Sequence, residues 1–160
     1  MSKTILFIVG TLNIGGVETY VKRLTINLLK KNNIRIKILL LTKSYDEEIF
    51  FELNERVEIY FLSDFSFIKL KNSKLFDKLA NVIIPIDFKQ LSKVIGNIDF
   101  IHTTSSETLV VANNLLKYNT STRVLSGIYH SKEYIWESKF YFRNIEKKFF
   151  INFGEKNIIS

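Results

Sequence analysis

The sequence predicts an α/β fold built on an open parallel sheet, with helices on both faces and a single domain. Short apolar runs typical of buried strands alternate with amphipathic helix patterns along the chain. The first apolar run ends in a loop that closes with a glycine pair and leads into a helix. At 160 residues and 46% apolar content, the chain has the size and composition of one domain with a core. These three observations indicate a Rossmann-like domain covering residues 1–160.

The first strand and helix have the clearest patterns. Ile5–Val9 is continuously apolar, and Gly15 and Gly16 close the loop that follows it. The helix is predicted from one apolar stripe made of Val17, Tyr20, Val21, Leu24 and Leu28. Its basic residues fall largely outside that stripe and are Lys22, Arg23, Lys30 and Lys31. We therefore expect a strand, a glycine turn and a helix whose N-terminus lies at the sheet edge where ligands bind.

The next segments predict two more strands and an acidic helix. Ile34–Thr42 is nearly all apolar and predicts a buried strand, interrupted only by Arg35 and Lys37. Asp46–Asn54 predicts a short acidic helix, and Val57–Leu62 predicts a strand whose single acid favours a half-exposed edge. With short helical crossovers between parallel strands, the expected sheet order is 3-2-1-4-5.

The middle of the chain has a weaker pattern that leads into a fourth strand. Residues 63–96 mix Phe, Ile and Leu with six Lys, and Pro85 separates two predicted short helices, so a partner is expected to dock there. Ile98–His102 predicts the fourth strand. Thr104 and Glu107 match a capping box that begins a helix over Ser105–Lys117.

The last segments predict a fifth strand and a long helix. The strand covers Thr122–Tyr129 and ends at His130, and Ser138–Phe153 has the length and mixed charge of a surface helix. Gly154 ends that helix, and another strand begins at Lys156. We expect the chain to be part of a longer protein.

Composition excludes several classes of protein. The longest apolar runs near the start, Ile5–Val9 and Ile38–Leu41, are far shorter than the roughly 18 to 20 residues of a membrane span, and no cleavage pattern follows them. The sequence has no cysteine, which rules out disulfides and thiolate sites and agrees with a reducing compartment. We therefore predict a cytoplasmic protein.

The net charge of +7 is distributed unevenly along the chain. Residues 22–43 contain seven Lys or Arg and no acid, whereas residues 46–58 contain six acids and one Arg. A basic cluster of this kind can attract an anionic membrane face, nucleic acid or phosphorylated sugars, or it can simply be a solvated helix face. Nucleic acid is the least favoured partner, because no nucleic-acid-binding motif accompanies the charge.

The spacing of the glycine loop disfavours two common phosphate sites. A dinucleotide fingerprint needs Gly-x-Gly-x-x-Gly, but Gly10 is followed by Thr11 and Leu12, which argues against NAD. A P-loop needs Lys and then Ser or Thr after its last glycine, but Gly15 is followed by Gly16-Val17-Glu18. ATP hydrolysis is therefore disfavoured as well.

Several segments together resemble the N-terminal domain of the family 4 glycosyltransferases of the GT-B fold. The segments are Gly15-Gly16-Val17-Glu18, similar to the family's Gly-Gly-x-Glu loop; Ile98-Asp99-Phe100-Ile101-His102-Thr103-Thr104, similar to its Asp-x-Ile-His-x-His; Val124 to His130; and Ile145-Glu146 to Ser160. The resemblance covers almost the whole chain. Thr104 stands where the family often has a second histidine.

The resemblance implies one half of a two-domain enzyme. The family transfers a sugar from a nucleotide-sugar to an acceptor, and the resemblance implies a retaining, metal-independent transferase that builds polysaccharide or lipid-linked glycan. Its second domain, which binds the nucleotide-sugar, is absent from this chain, so the chain alone is expected to be inactive. No cofactor and no metal ion are expected, since the two histidines have no clustered carboxylates around them. The basic helix and the Lys- and Phe-rich middle suit contact with an anionic membrane that carries the acceptor.

The resemblance assigns His130 to the donor sugar near the reacting centre, where an imidazole can donate a hydrogen bond. Gly15 and Gly16 are expected to face donor phosphates or the acceptor, although a tight turn alone also explains them. Further candidates in this cleft are Thr11, Asn13, Glu18, His102 and Thr104. Ordinary structural explanations exist as well. Thr11 and Asn13 are common turn residues, the Glu18 carboxylate is favoured near a helix N-terminus, and His102 can anchor the end of the fourth strand.

A second class of function stays open. The chain can also be a non-catalytic Rossmann-like binding module, or a partner subunit that contributes one wall of a cleft.

Overall fold

The computed structural model describes residues 2–66 and 86–126, which form a five-stranded, all-parallel sheet. The strands are β1 (Lys3–Val9), β2 (Ile34–Leu40), β3 (Glu58–Phe61), β4 (Phe100–Thr103) and β5 (Arg123–Ser126). The helices are α1 (Gly16–Leu28), α2 (Glu47–Asn54), α3 (Phe88–Ile95) and α4 (Ser106–Leu116), with a 3-10 turn at Leu62–Phe65. The described residues therefore have the predicted Rossmann-like α/β fold.

The sheet order is β3-β2-β1-β4-β5, which confirms the predicted order. The order reverses direction after β3, so β1 and β4 are central neighbours and a crevice forms at their carboxyl ends. In this register Phe7 of β1 pairs with Ile38 of β2 on one side and with His102 of β4 on the other. His102 in turn pairs with Leu125 of β5. These side chains share one face of the sheet because paired residues of parallel strands point the same way.

Each face of the sheet has its own apolar core. On the face that carries α1 and α2, the buried residues include Phe7, Val9, Val21, Ile38, Leu40 and Leu53. On the opposite face, which carries α3 and α4, they include Leu6, Ile8, Leu39, Leu91, Ile101 and Leu115. Burial on both faces explains why the central strands are continuously apolar in sequence.

One predicted boundary feature is wrong. The N-cap of α4 is Ser105, and its partner in the capping box is Thr108, so the box lies one residue later than the predicted Thr104 and Glu107. The Ser105 hydroxyl accepts from the Thr108 amide, and the Thr108 hydroxyl accepts from the Ser105 amide at 2.9 Å. Thr104 is unavailable for capping because it is buried, with only 3% of its surface exposed.

Several predictions concern residues outside the described ranges. They are the short helix before Pro85, the end of the fifth strand at His130, the helix over Ser138–Phe153, Gly154 and the strand from Lys156. The helix expected after Pro85 corresponds to α3.

Candidate functional site

The glycine turn lies at the carboxyl edge of the sheet, between the end of β1 and the start of α1. Gly15 is the N-cap of α1, with an extended backbone (φ −169°, ψ 170°) and no side chain capping the helix. The first N–H groups of α1 therefore have no side-chain acceptor at the N-cap, which is the position that usually provides one. Because the sheet is parallel, the ends of β4 and β5 lie at the same edge.

The loop before Gly15 is held by the segment that follows β2. The Leu12 amide donates to the carbonyl of Ser44 at 3.1 Å, and the Asp46 amide donates to the carbonyl of Leu12 at 2.9 Å. The side-chain amide of Asn13 donates to the Ser44 hydroxyl at 2.8 Å. These bonds fix the loop without a ligand, so a ligand that binds there pays little ordering entropy.

Glu18 folds back over the N-cap of its own helix. Its carboxylate oxygen Oε1 accepts a hydrogen bond from the Thr11 hydroxyl at 3.0 Å. A Cβ on Gly15 would overlap the other carboxylate oxygen, Oε2. A glycine at position 15 lets the carboxylate come this close, and a negative charge at this end of the helix is favoured by the helix dipole.

Gly16 has different surroundings from Gly15. It is exposed, and a Cβ built on it would meet no atom of the described residues within 4 Å. Packing against residues 2–66 and 86–126 does not require a glycine at this position, and its φ is not in the left-handed region. The first residue of α1 is thus open to a ligand that approaches the backbone directly.

His102 lies one strand away, on the sheet face that carries α1. Its ring centroid is 5.2 Å from that of Phe7 and 6.0 Å from that of Tyr20. Its Nδ1 atom is buried and has no hydrogen-bond partner in the part of the chain that the structure describes. Burial lowers the pKa of His102, opposed by a contact with its own backbone, so the imidazole is neutral at pH 7.

Thr104 belongs to the interior of the domain. Its hydroxyl donates to the carbonyl of Ile8 at 3.4 Å, and its amide donates to the Thr108 hydroxyl at 3.0 Å. Both groups are occupied within the fold, and we leave Thr104 out of the proposed ligand contacts.

The predicted residues thus fall into distinct groups. Thr11, Asn13, Gly15, Gly16 and Glu18 lie together in the turn, and His102 lies on the adjacent strand beneath Tyr20. His130, the predicted donor contact, lies outside the described residues.

Sequence reasoning missed a groove along α1. The groove has a volume of about 340 Å³ and is lined by Gly16, Thr19, Tyr20, Arg23, Leu24 and Asn27. The signal was the spacing of Thr19, Arg23 and Asn27, four residues apart, which places polar side chains on one side of the helix. Their spacing also fits an ordinary solvated face, which is one of the alternatives that the sequence left open for the basic cluster containing Arg23.

Part of the uneven charge is neutralised within the fold. Lys22 pairs with Glu52 at 2.6 Å, Lys37 with Glu58 at 3.1 Å, and Lys43 with Asp64 at 2.6 Å. Three of the seven basic residues in 22–43 thus pair with acids further along the chain, two of them within residues 46–58 and the third with Asp64. Arg23 forms no ion pair with any residue of the described ranges.

Residues 2–66 and 86–126 contain neither a cluster of metal ligands nor a helix that could span a membrane. No group of three or more His, Asp or Glu side chains is arranged to hold a metal ion. No helix in this part of the chain combines the length and apolar character needed to cross a membrane.

No protein-family model and no curated protein matches the chain. Among solved structures, it is similar to the apo form of the lipopolysaccharide outer core galactosyltransferase WaaB (20% identity, TM-score 0.47, 77% of this chain and 32% of that one). It is also similar to a glycosyltransferase from Rickettsia africae ESF-5 (18% identity, TM-score 0.47, 86% and 34%). A third similar structure is an apo saccharopine dehydrogenase (L-Glu forming) from Saccharomyces cerevisiae (14% identity, TM-score 0.46, 82% and 23%). The chain therefore spans about a third or less of the length of these proteins.

Proposed function

We propose that this chain is the acceptor-side domain of a glycosyltransferase that moves a sugar from a nucleotide-sugar to a saccharide or lipid-linked acceptor. The observation that carries the proposal is the open start of α1 at Gly16, at the carboxyl edge of a parallel sheet. The resemblance of residues 15–18, 98–104 and 124–130 to family 4 glycosyltransferases supports the choice of reaction.

The chemistry of the open turn suits a leaving diphosphate. When the bond to the anomeric carbon breaks, negative charge builds up on the diphosphate oxygens, and donors fixed in place lower the barrier. The N–H groups of Gly16 and Val17 point out of the helix end, where the dipole is equivalent to about half a positive charge. Because the Cα–Cβ bonds of a helix tilt toward its N-terminus, we expect a side chain at Gly16 to hinder a phosphate that approaches these donors.

Glu18 and Thr11 have a different role in this proposal. A carboxylate beside a diphosphate repels it, but it accepts hydrogen bonds from sugar hydroxyls well. We assign the Glu18 carboxylate, positioned by the Thr11 hydroxyl at 3.0 Å, to an acceptor hydroxyl beside the diphosphate. Replacing Glu18 by Gln is then expected to strengthen binding of the diphosphate several-fold and to weaken binding of the acceptor.

The finer features of the enzyme come from the resemblance. They are a second domain that binds the nucleotide-sugar, retention of anomeric configuration without a metal ion, His130 against the donor sugar, and an acceptor presented at a membrane surface. His102, neutral and half-buried, is assigned to support the strand end that faces the same cleft.

The test is a transfer assay on the chain together with any further domain that its gene encodes. UDP-glucose, UDP-galactose and GDP-mannose serve as labelled donors, with lipid-linked saccharides as acceptors. We expect transfer from at least one donor, with the anomeric configuration kept in the product. The His130→Ala variant should lose about 100-fold or more in turnover while its melting temperature stays near that of the wild type. Binding of a nucleotide-sugar without transfer would favour the non-catalytic module, and absence of binding would contradict both.

A further inference from the structure

The groove along α1 lies on the side of the helix away from α2. Lys22, on the other side of α1, pairs with Glu52 of α2 at 2.6 Å. Tyr20, on the groove side, has its ring centroid 6.0 Å from that of His102 on β4. The groove therefore runs from the glycine turn down the side of α1 that faces β4.

The strands on this side of α1 are only partly covered. His102 and Leu125 are paired in register on the sheet face that carries α1. Leu125 has 55% of its surface exposed, and α1 and α2 are the only described helices whose side chains join the core on this face. Within residues 2–66 and 86–126, the surface beside the groove is thus an apolar and aromatic floor next to a polar helix side.

The polar groups that line the groove favour an anion. Arg23 makes no ion pair with any described residue, and none of the described lining residues is Asp or Glu. The carbonyl oxygen of Asn27 accepts from Lys30 Nζ at 3.0 Å, which leaves its NH₂ group as a donor. Along α1, Thr19 comes between Gly16 and Arg23, and its hydroxyl adds a further polar group to the lining of the groove.

We propose that this groove binds the acceptor through an anionic saccharide unit, a sugar that carries a carboxylate or a phosphate. Arg23 forms a bidentate pair with the anion, because a planar guanidinium matches both groups. The Tyr20 ring, 39% exposed, packs against a sugar face, while Thr19 and Asn27 contact hydroxyls. This inference rests on the proposed function, since Gly16 is shared by the diphosphate site and the upper end of the groove.

The experiment titrates the chain with glucuronic acid, glucose 6-phosphate, glucose and inorganic phosphate, followed by amide NMR shifts. We expect both charged sugars to bind about tenfold or more tightly than glucose, with shifts centred on Thr19, Tyr20 and Arg23. Comparing the affinities for glucuronic acid and glucose 6-phosphate shows whether the site prefers a carboxylate or a phosphate. Glucose binding as tightly as the charged sugars would overturn the proposal, and so would phosphate alone binding as tightly as glucose 6-phosphate.

A matched pair of variants separates Arg23 from general electrostatic attraction. Arg23→Gln should weaken binding of the charged sugars about tenfold, whereas Lys31→Gln, which removes an exposed charge just beyond the same helix, should change it less than about twofold. Equal losses in the two variants would contradict a site at Arg23.

Failure of this inference can be told apart from failure of the proposed function. The Gly16→Ala variant is titrated with UDP-glucose and, separately, with glucuronic acid. If UDP-glucose binding depends on Gly16 but no charged sugar binds at Arg23, the acceptor assignment alone is wrong. If charged sugars bind at Arg23 but the affinity for UDP-glucose is unchanged in Gly16→Ala, the groove is a saccharide site of a protein that is not a transferase.

Discussion

The two adjacent glycines before α1 differ in what surrounds them. A side chain on Gly15 would collide with the Glu18 carboxylate, whereas a Cβ on Gly16 would contact none of the residues that the structure describes. The contact with Glu18 gives Gly15 a structural role, and no described residue gives Gly16 a comparable one. Gly16 stands at the start of α1, and packing against the described residues does not require it to be glycine. Close approach of a ligand to the backbone would explain it, and this is the feature that most favours a ligand site.

This difference gives a prediction for stability. Gly15→Ala should lower the free energy of unfolding by roughly 1 to 2 kcal/mol, because Glu18 is displaced from Thr11 and alanine is a poor N-cap. Gly16→Ala should raise it by about 0.5 to 1 kcal/mol, because alanine is the better helix residue. Urea unfolding of the two variants measures both values. Equal changes of the same sign would contradict the arrangement of the turn.

His102 gives a prediction for pH dependence. Its pKa in the folded chain is lowered by burial, so the unfolded chain takes up the proton first as the pH falls below about 6.5. The stability associated with His102 is therefore complete above that pH and is lost as the pH falls through the folded pKa.

Proton NMR can check this directly, because the chain has two histidines and His102→Asn identifies one signal by its loss. The His102 signal should titrate below 6.5, and the variant should lose less stability than the wild type between pH 7 and pH 5. A His102 signal that titrates above 6.5 would show that the ring is not desolvated.

At the scale of elements, the sheet order could be predicted because connection rules allow few arrangements of strands and crossover helices. The N-cap of α4, in contrast, could not be predicted from the sequence. Thr103, Thr104, Ser105 and Ser106 are four consecutive hydroxyl residues, and any of them suits a cap. The choice depended on tertiary burial of Thr103 and Thr104, which periodicity in the sequence does not reveal.

The corrected capping box predicts a contrast between two threonines. Thr108→Val removes the acceptor for the Thr104 and Ser105 amides, bonded at 3.0 and 2.9 Å, and should cost about 2 to 3 kcal/mol. Thr104→Val removes only a long 3.4 Å bond to Ile8 and should cost less than about 1 kcal/mol. Thermal unfolding measures both. A larger cost at Thr104 would restore the capping role that the sequence predicted for it.

The groove beside α1 was hidden from sequence reasoning for an element-scale reason. The helix pattern separates a buried stripe from a polar face, but it does not say which side of the helix another strand lies on. Tyr20 was predicted as part of the apolar stripe, yet it is 39% exposed, because α1 packs over β1 and β2 and only its edge reaches β4. The position of the groove follows from which strand lies beside the helix, here β4 with His102 next to Tyr20, and helix periodicity does not contain that information.

At the scale of the whole molecule, the ion pairs reduce the number of basic residues that are available to contact an anionic membrane. Lys22, Lys37 and Lys43 are paired with acids. Of the four other basic residues in 22–43, Lys30 and Lys31 are adjacent in sequence and exposed just after the end of α1. We predict salt-sensitive flotation of the protein with vesicles containing about 30% anionic lipid, reduced about tenfold by Lys30→Gln with Lys31→Gln. Flotation that is absent at low salt, or unchanged in the double variant, would remove the membrane from the proposal.

The central claim is that the open start of α1 binds a diphosphate, and one titration tests it directly. In the ¹⁵N-labelled protein, comprising the chain with any further domain that its gene encodes, UDP-glucose is added while backbone amide shifts are followed, with Gly96, whose amide is bonded to the Ser92 carbonyl at 2.9 Å, as the internal reference. The account predicts the largest shifts at Gly16 and Val17, none at Gly96, and loss of the response in Gly16→Ala. Saturable binding of UDP-glucose that leaves Gly16 and Val17 unshifted would contradict it.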